Sequence, residues 1–519
     1  VDIPAAKTPI ANTLIPNNLG VVIHAKKLLD FEDIKTKHEK FVFFIDYFVN
    51  WFFNNHDIEK RTNKIGRPRY SEISLCKVLI LASSEGITSG RKINTKLLFD
   101  TRYQKLMNYE TPSYHLINDF KRKSHQIISD LFVDCVKFAQ YYQFLDLSTI
   151  AIDGSKIRAN ASKSKILKME DIYFLQYIFK QEKTQQFTNQ IEKSHTISRK
   201  DKLIKEAQKY LIETKKEINK NNSKQKKKVR KGCINYFTKA IKSINHYTHA
   251  IIELDEMEQI LTKSKQTSIS TTDKEALWML NKKGGTDFNY NIQSVNDTKT
   301  GIIIDINLIR DPIDLNSLIP EINNVQKNLN ITLKNTVILA DNGYYSEYAL
   351  DYMENHNLTA IIPNRTQSMK VKPKNKENKP FGKVNFTYKA EEDTYICPNN
   401  KILPFQKEYF SNGTTKKLYY TTECKYCHNQ TKCAGYNQYK TITEYGTESR
   451  KNMAIKFEDP KEKETYKKRS TIEIVFGNLI KNLEYRQTNS YGLQNVKTEL
   501  TLLIIAINLK KIFNKITEN

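Results

Sequence analysis

Cysteine is scarce in this chain: there are seven in 519 residues, and four of them fall between positions 397 and 433. So sparse and uneven a distribution excludes a disulfide scaffold and favours a reducing compartment. Long apolar stretches are also missing, since no run of about 18 apolar residues occurs. The amino end lacks the basic-then-apolar pattern of a secretion signal. The sequence therefore indicates neither a membrane span nor export.

Acidic residues are in the minority, with 57 Asp and Glu against 83 Lys and Arg, which gives a formal net charge of +26. A surplus this large favours a polyanionic partner, because each phosphate that a Lys or Arg neutralises releases condensed counterions. A basic surface that is merely solvated is the alternative. Hydrophobic residues make up 39% of the chain and aromatic residues 11%, which excludes a wholly disordered protein. The length leaves room for two or three domains.

The amino-terminal part changes from irregular to helical. Residues 1–35 have no sustained periodicity and are predicted to be a loosely ordered arm. From Phe41 to about Leu145, apolar residues recur every three or four positions, which predicts packed amphipathic helices in a domain over 36–147. GRPRY at 66–70, a Gly-Arg-Pro tripeptide in a basic setting, lies between the first two helices.

The middle of the chain has the periodicity of strands. STIAID at 148–153 is a short β-type run that ends in an acid. FNYNIQSVN at 288–296 and GIIIDINLI at 301–309, joined by DTKT, predict a hairpin. A helix over 314–329, a buried strand over 337–341, another helix and another strand follow. This order predicts an α/β fold with a mixed sheet.

Two insertions interrupt that pattern. The first, 162–272, carries two apolar stripes at helical spacing on either side of NKNNSKQKKKVRKG at 219–232. It is predicted to be an antiparallel helical hairpin with a basic tip, which either contacts DNA or forms a solvated turn. The second, 366–460, begins with a polar linker and contains the four clustered cysteines. Long helices over 461–519 complete the predicted fold.

Two aspartates stand where predicted strands end. Asp153 follows the apolar residues of STIAID, and Asp341 closes VILAD. Acids at strand ends gather at one rim of a sheet, and phosphodiester chemistry with two metal ions needs carboxylates that converge from different elements. Mg²⁺ suits such a site because it takes oxygen ligands. Each aspartate alone has a second explanation, as a helix cap or turn residue.

A third acid lies in YKKRSTIEIVFGNLIKN, residues 466–482. Arg469 and Glu473 are four apart on one helix face, Tyr466 is one turn earlier, and Lys481 lies close to the same face. The other face carries the residues predicted to enter the core: Ile472, Val475, Phe476 and Leu479. Glu473 is predicted to reach the metal ions while Arg469 and Lys481 hold phosphates. An ordinary amphipathic helix with one ion pair is the alternative.

Together these segments resemble the DDE transposases of bacterial insertion sequences, whose glutamate lies in a Tyr-x2-Arg-x3-Glu-x6-Lys signature. The similarity lies in three blocks: AIDGSKIRANASK at 151–163, LADNGYYSE at 339–347, and the third block of Tyr466, Arg469, Glu473 and Lys481. Seven residues rather than six separate Glu473 from Lys481, so Lys481 departs from the signature. The likeness extends from about residue 40 to 511.

The resemblance implies an RNase H-like sheet in which Asp153, Asp341 and Glu473 hold Mg²⁺ or Mn²⁺. It implies cleavage at transposon ends and joining of the freed 3′ hydroxyl to target DNA. Its implied partners are terminal inverted repeats, target DNA and a second copy of the chain, in the bacterial cytoplasm. A catalytically silent DNA-binding descendant and a structure-specific nuclease are the rival hypotheses.

In the family, helices like those at 41–145 are expected to read the inverted repeats. GRPRY is similar to the core of an AT-hook, in which Arg67 and Arg69 would enter a narrow A·T minor groove. A basic linker between helices is the equal alternative.

The clustered cysteines have metal-ligand spacing. Cys424-x2-Cys427-x5-Cys433, with Cys397 upstream, offers four thiolates, enough for a tetrahedral Zn²⁺ site. Related transposases carry a Cys insertion, so a structural zinc ion is predicted. His428 in place of one thiolate, an iron–sulfur cluster and free buried thiols are the alternatives.

Overall fold

A computed structural model describes residues 36–56, 70–218, 229–242, 247–280, 284–370, 380–389, 391–411, 414–445 and 448–518. Several predictions lie outside these ranges: the amino-terminal arm, Arg67 and Arg69 of GRPRY, most of the basic tip, and most of the polar linker of the second insertion. Within the described ranges, no helix has the length and apolar character needed to cross a membrane.

The amino-terminal part is helical, as predicted. Its helices are α1 (Lys37–Asn55), α2 (Glu72–Ser84), α3 (Gly90–Phe99), α4 (Thr101–Leu106), α5 (Tyr114–Lys123) and α6 (His125–Tyr141). Helix α1 begins at a capping box, in which Thr36 and Glu39 each accept a hydrogen bond from the other's backbone N–H. Phe48 of α1 is fully buried and packs edge-on against Phe138 of α6.

The first insertion follows strand β1 (Thr149–Arg158). Its elements are β2 (Ile166–Leu167), α7 (Met169–Phe179), α8 (Glu182–Lys193), α9 (Lys200–Ile218), α10 (Lys231–Ile241), α11 (Tyr247–Ser264) and β3 (Ile269–Ser270). The prediction of a two-helix hairpin is wrong, because residues 169–193 form two more helices and the second stripe is divided between α10 and α11. Leu175, Leu211 and Phe237 bury together in a core of the insertion's own.

The main sheet and its helices follow. The elements are β4 (Leu277–Leu280), β5 (Thr286–Asp297), β6 (Ile303–Ile309), α12 (Leu318–Leu329), β7 (Val337–Ala340), α13 (Glu347–Asn355), β8 (Thr359–Ile361) and α14 (Arg365–Lys370). The strand order is β5–β1–β7–β8, and β4 and β6 both pair with β5. β1 is antiparallel to β5 and parallel to β7, and β8 is parallel to β7. The predicted mixed sheet and the β5–β6 hairpin are confirmed.

Strand β1 is longer than predicted. Its pairing with β7 ends at Ile152 opposite Ala340, but the strand continues along β5 to Arg158. The prediction that Asp153 ends its strand is therefore wrong: the small polar residues after it stay extended because β5 pairs with them. The parallel ladder does end there, so the next residues on the two strands, Asp153 and Asp341, lie at the same end of that ladder.

The second insertion forms a small antiparallel sheet. Its elements are β9 (Thr387–Lys389), β10 (Thr394–Ile396), β11 (Ile402–Ser411), β12 (Thr414–Tyr419), α15 (Gln430–Ala434) and β13 (Ile442–Tyr445). The strand order is β13–β12–β11–β10–β9. Its buried core is small and consists of Phe386, Tyr395, Leu403, Tyr419 and Ile442.

The carboxyl-terminal helices are α16 (Glu448–Glu458), α17 (Pro460–Lys467), α18 (Thr471–Gly477) and α19 (Leu493–Glu518). Helix α19 has 26 residues and packs against α2, α6 and β6. Its central run, Leu502 to Ala506, is buried on all sides. One continuous core therefore joins the amino-terminal helices to the main sheet.

Candidate active site

The register of the main sheet positions the first two acids. Asp153 Oδ1 accepts a hydrogen bond from the Gly154 backbone N–H at 2.9 Å. Asp341 caps a short 3₁₀ turn, and its Oδ1 accepts from the Gly343 backbone N–H at 2.7 Å. The capping role suggested for Asp341 is therefore real, and its carboxylate directly follows the end of the parallel ladder, as that of Asp153 does. Both side chains are half-buried.

Arg469 links the first acid to the third. Its Nη1 lies 3.3 Å from Asp153 Oδ2, and its Nη2 lies 3.9 Å from Glu473 Oε1. The Arg469 side chain is 18% exposed and that of Glu473 is 70% exposed. Nη1 is buried, and its contact with Asp153 lacks hydrogen-bond geometry. Burial lowers the pKa of Arg469, but Tyr466, Asp153 and Asp341 outweigh it and leave the pKa raised.

Tyr466 supports this arginine. Its ring packs edge-on against Phe457, and the Arg469 guanidinium carbon lies 5.9 Å from the ring centroid. Burial raises the pKa of Tyr466 to about 12. The tyrosine therefore acts as a neutral, fixed platform that orients the guanidinium towards the acids.

The third block is not one regular α-helix. A 3₁₀ turn at Lys468–Ser470 separates α17 from α18, and a π-helical turn at Asn478–Asn482 follows α18. The predicted core face is buried: Ile472, Val475, Phe476 and Leu479. Lys481 lies in the π-helical turn, is exposed, and forms no ion pair with any described residue. It is not placed against the acids.

A polar network beneath the acids was not predicted. Asp314 Oδ1 accepts hydrogen bonds from Asn291 Nδ2 and Gln293 Nε2, both at 2.7 Å. Tyr344 donates its hydroxyl hydrogen to Gln293. Burial raises the pKa of Tyr344, and the charges of Asp314, Asp153 and Asp341 raise it further. The signal in the sequence was the alternation of Asn289, Asn291 and Gln293 along β5, where buried positions are ordinarily apolar.

Two glycines let the carboxylates approach the backbone. A Cβ at Gly154 would lie 2.6 Å from Asp314 Oδ1. A Cβ at Gly343 would lie 2.8 Å from Asp341 Oδ1 and 3.7 Å from Asp314 Oδ2. Asp314 therefore lies against the residue that follows Asp153 and the residue two places after Asp341.

The donors of the acid cluster fit a hard cation. All of them are carboxylate oxygens, the ligand type that Mg²⁺ prefers. Within the described part of the chain, no three acidic, histidine or cysteine side chains are gathered closely enough to hold a metal ion. In the acid cluster the positive group in contact with Asp153 and Glu473 is the Arg469 guanidinium. The guanidinium balances part of the negative charge of these acids. The Glu473 side chain is exposed, which leaves room for it to adopt another rotamer.

The four clustered cysteines line one cavity of about 20 Å³. Cys397 Sγ accepts from the Lys401 backbone N–H at 3.3 Å, and Cys427 Sγ from Asn399 Nδ2 at 3.4 Å. The four cysteines form no disulfide. Burial raises the pKa of the Cys433 thiol, and the three neighbouring cysteines raise it further, whereas Lys440 lowers it. Their number and donor type fit Zn²⁺, although they are not yet at ligand spacing. His428 is not among the residues that line the cavity.

Comparisons with protein families match both ends of the chain. A family described as a transposase DDE domain matches residues 396–513, and a transposase domain (DUF772) matches residues 29–123. Among curated proteins no match was found, and among solved structures none was found either. The first match includes the cysteines and the third block, while Asp153 and Asp341 lie outside both matches.

The two matched domains define the class of protein: the chain is a transposase, an enzyme that acts on DNA. A transposase DDE domain at one end and a transposase domain at the other confirm the resemblance to DDE transposases found in the sequence.

Proposed function

We propose that this transposase cleaves the DNA at the ends of its element and joins the freed 3′ hydroxyl to target DNA at an RNase H-like, two-metal centre. The observation that carries the proposal is the register of β1 and β7, which brings Asp153 and Asp341 together where the parallel ladder ends. Glu473 is connected to this point through Arg469.

The order of elements supports the RNase H-like assignment. With the two insertions and the short edge strand β4 left aside, the order begins with the strand with Asp153, two antiparallel strands, a helix and the strand that leads to Asp341. A helix, a further parallel strand and the helix with Glu473 follow. This is the order that the resemblance implies. In the proposal, carboxylates from three different elements converge at one rim when the metal ions bind, as phosphodiester chemistry with metal ions requires.

Asp153, Asp341 and Glu473 would hold Mg²⁺ or Mn²⁺. When bound, such ions stabilise charge on the attacking and leaving oxygens of a phosphodiester. Arg469 acts as a counter-cation to Asp153 and Glu473 and, beside the Tyr466 ring, can pair with a DNA phosphate through its planar guanidinium. Glu473 has the exposure needed to turn away from Arg469.

Lys481 is assigned to DNA phosphate in the same proposal. The extra residue between Glu473 and Lys481 coincides with the π-helical turn at Asn478–Asn482. A π-helical turn accommodates one additional residue in a helix, so the departure from the family's spacing has a structural counterpart. The exposure of Lys481 leaves it available to a partner.

Further parts of the proposal rest on the sequence. The amino-terminal helices, with Arg67 and Arg69, would read the inverted repeats. The four cysteines would hold a structural Zn²⁺, and two copies of the chain would act together on DNA. The +26 charge supports a nucleic-acid partner.

The test is an incubation of the protein with Mg²⁺ or Mn²⁺ and the DNA that flanks its gene, followed by mapping of the 3′ ends and of joined products. The expected result is nicking at the element ends followed by joining to a second duplex. Nicks without joining would identify a structure-specific nuclease. Repeat binding without nicks in either metal would identify a silent descendant.

A further inference from the structure

We infer that the cysteine loop, defined as residues 420–440 of the second insertion, binds single-stranded DNA, with the rings of Tyr426 and Tyr436 stacked on unpaired bases. The inference goes beyond the proposed function, because it concerns the second insertion and not the acids of the main sheet. It draws only on the DNA substrate of a transposase and on the residues of the loop itself.

The first argument is the exposure of the two tyrosines. Tyr426 is 86% exposed and Tyr436 is fully exposed, and no other aromatic side chain in the described ranges is exposed as much. Neither ring packs against another described aromatic ring, and neither hydroxyl has a hydrogen bond to a described residue. Two large rings that the fold leaves in water, each with an apolar face and a polar tip, are suited to contact with a partner.

The second argument is that both tyrosines belong to one small structure. Tyr426 immediately precedes Cys427, and Tyr436 lies three residues after Cys433. Both cysteines line the same cavity, so the tyrosines flank it. The Gln430 side chain donates to the backbone carbonyl of the residue after Tyr436, which connects the two halves of the loop. Two rings on one loop can therefore stack on bases of the same flexible strand.

The third argument is the charge of the loop. It carries one acid, Glu423, and three lysines: Lys425, Lys432 and Lys440. Glu423 pairs with Lys401 at 2.8 Å, whereas the three lysines of the loop form no ion pair with a described residue. Unpaired cations beside exposed rings fit a strand of nucleic acid, in which the phosphates are neutralised while the bases stack. An apolar protein partner would instead bury these charges at a cost.

Single-stranded DNA fits the loop better than a duplex does. In a duplex the bases stack on one another and present only their edges to the grooves, so a ring must first unstack them. An unpaired strand offers the faces of its bases, and stacking on them does not depend on the sequence. The loop is therefore expected to prefer unpaired DNA without reading its bases.

The experiment measures the affinity of the full-length protein for a fluorescein-labelled oligo(dT) of about 15 nucleotides by fluorescence anisotropy. A duplex and an oligo(rU) of the same length are measured alongside. Tyr426→Leu and Tyr436→Leu keep an apolar side chain but remove the ring. Each should weaken oligo(dT) binding about tenfold, the effect of one lost base stack, and leave duplex binding unchanged. Tyr426→Phe and Tyr436→Phe keep the ring and should bind like the wild type.

The matched control is Tyr141→Leu, at an exposed tyrosine of α6, which should bind oligo(dT) like the wild type. All replaced side chains are exposed, so the melting temperature should not change.

Unchanged oligo(dT) binding in both leucine variants would overturn the inference. An equal loss of duplex binding would also overturn it, because the loop would then contact paired DNA. Tighter binding of oligo(rU) than of oligo(dT) by the wild type would overturn it in favour of RNA. Each of these results leaves the proposed function standing, because cleavage is assigned to the acids and is measured separately at the mapped element end.

Discussion

The chain has two candidate metal sites, and they are built in opposite ways. Asp153 lies on strand β1, Asp341 directly follows the adjacent strand β7, and Glu473 lies on helix α18. The core of this main sheet continues into the amino-terminal helices and α19. The cysteines lie on turns of the small sheet, which has a core of five buried side chains. Metal-ligating side chains that a strand register positions keep their positions when no metal is bound. Those on turns around so small a core depend on the metal to keep them in place.

The two sites also differ in their metal-free charge. Arg469 partly neutralises the acids. At the thiols, burial raises the pKa of Cys433, so this thiol favours its protonated form. A cation at the acids therefore displaces a guanidinium, and a cation at the thiols displaces protons. The acid site should control chemistry, and the thiol site should control local folding.

The largest expected effect is on catalysis. Asp153→Asn, Asp341→Asn and Glu473→Gln should each reduce cleavage on the order of a thousandfold or more, because each removes a ligand of the proposed metal centre. DNA binding and the metal-free melting temperature should stay near those of the wild type. Cleavage is measured on the mapped element end. The control is Glu484→Gln, the nearest later acid and an exposed one; if it lost activity in place of Glu473→Gln, Glu484 would be the third acid.

The sequence was informative where periodicity and local chemistry agree. Asp153 and Asp341 were recognised because each follows a run of apolar β-type residues. The core face of the third block was recognised from its helical spacing. The burial of Arg469 could not be predicted this way, because it depends on Asp153, which is more than 300 positions away in the sequence.

The missed features share a cause. The helix predicted over 314–329 begins only at Leu318, so Asp314 lies in the connection before it, and the pairing of β1 with β5 brings it against Gly154. The full length of β1 was missed because pairing with β5, and not composition, keeps its polar half extended. Neither the strand's length nor the placement of Asp314 against Gly154 can be predicted from a window of adjacent residues.

The next effect in size concerns the thiol site. Elemental analysis should find about one Zn²⁺ per chain, the number expected for a single four-thiolate site. Cys427→Ser should release it and lower the melting temperature of the small sheet, while the main core melts as before. The matched control, His428→Ala, should keep the metal because His428 does not line the cavity. If the purified protein contained no Zn²⁺ and Cys427→Ser melted like the wild type, the small sheet would not depend on a metal for its folding.

A smaller effect on cleavage is expected from changing Arg469, the basic residue that contacts Asp153 and Glu473. Arg469→Ala should lower cleavage on the order of a hundredfold and reduce the salt dependence of DNA binding by up to about one unit of slope. Because the guanidinium is mostly buried beside Asp153, its removal should also lower the metal-free melting temperature, and Mn²⁺ should restore it. Arg469→Lys keeps the charge but not the planar fork, so it should recover part of the activity.

The control for this change is Lys481→Ala, an exposed cation of the same block. It should alter the salt dependence without lowering the melting temperature. Normal cleavage by Arg469→Ala would show that Arg469 only balances the charge of the neighbouring acids and takes no part in the reaction.

The smallest effect is a pH dependence of the main sheet that the small sheet should not share. Asp305 of β6 and Glu321 of α12 face each other in the core, and Asp305 Oδ2 and Glu321 Oε2 are buried without a described donor. A proton shared between them would satisfy both. Burial raises the pKa of Asp305. Burial and the charge of Asp305 raise the pKa of Glu321 from 4.5 to about 9.

The sign follows from proton binding. Between these pKa values the folded chain holds a proton that the unfolded chain has released, so stability falls as the pH rises from about 5 to about 9. Glu321→Gln supplies a neutral partner at every pH and should flatten this slope, raising the melting temperature most at the alkaline end. Melting is recorded across that range for both proteins. The control is Asp119→Asn on α5: Lys123 and Arg122 lower the pKa of Asp119, so its titration is complete below the range and the slope should not change. If the melting temperature changed with pH equally in the wild type and in Glu321→Gln, Asp305 and Glu321 would share no proton. The main sheet would then be no more sensitive to pH than the small sheet.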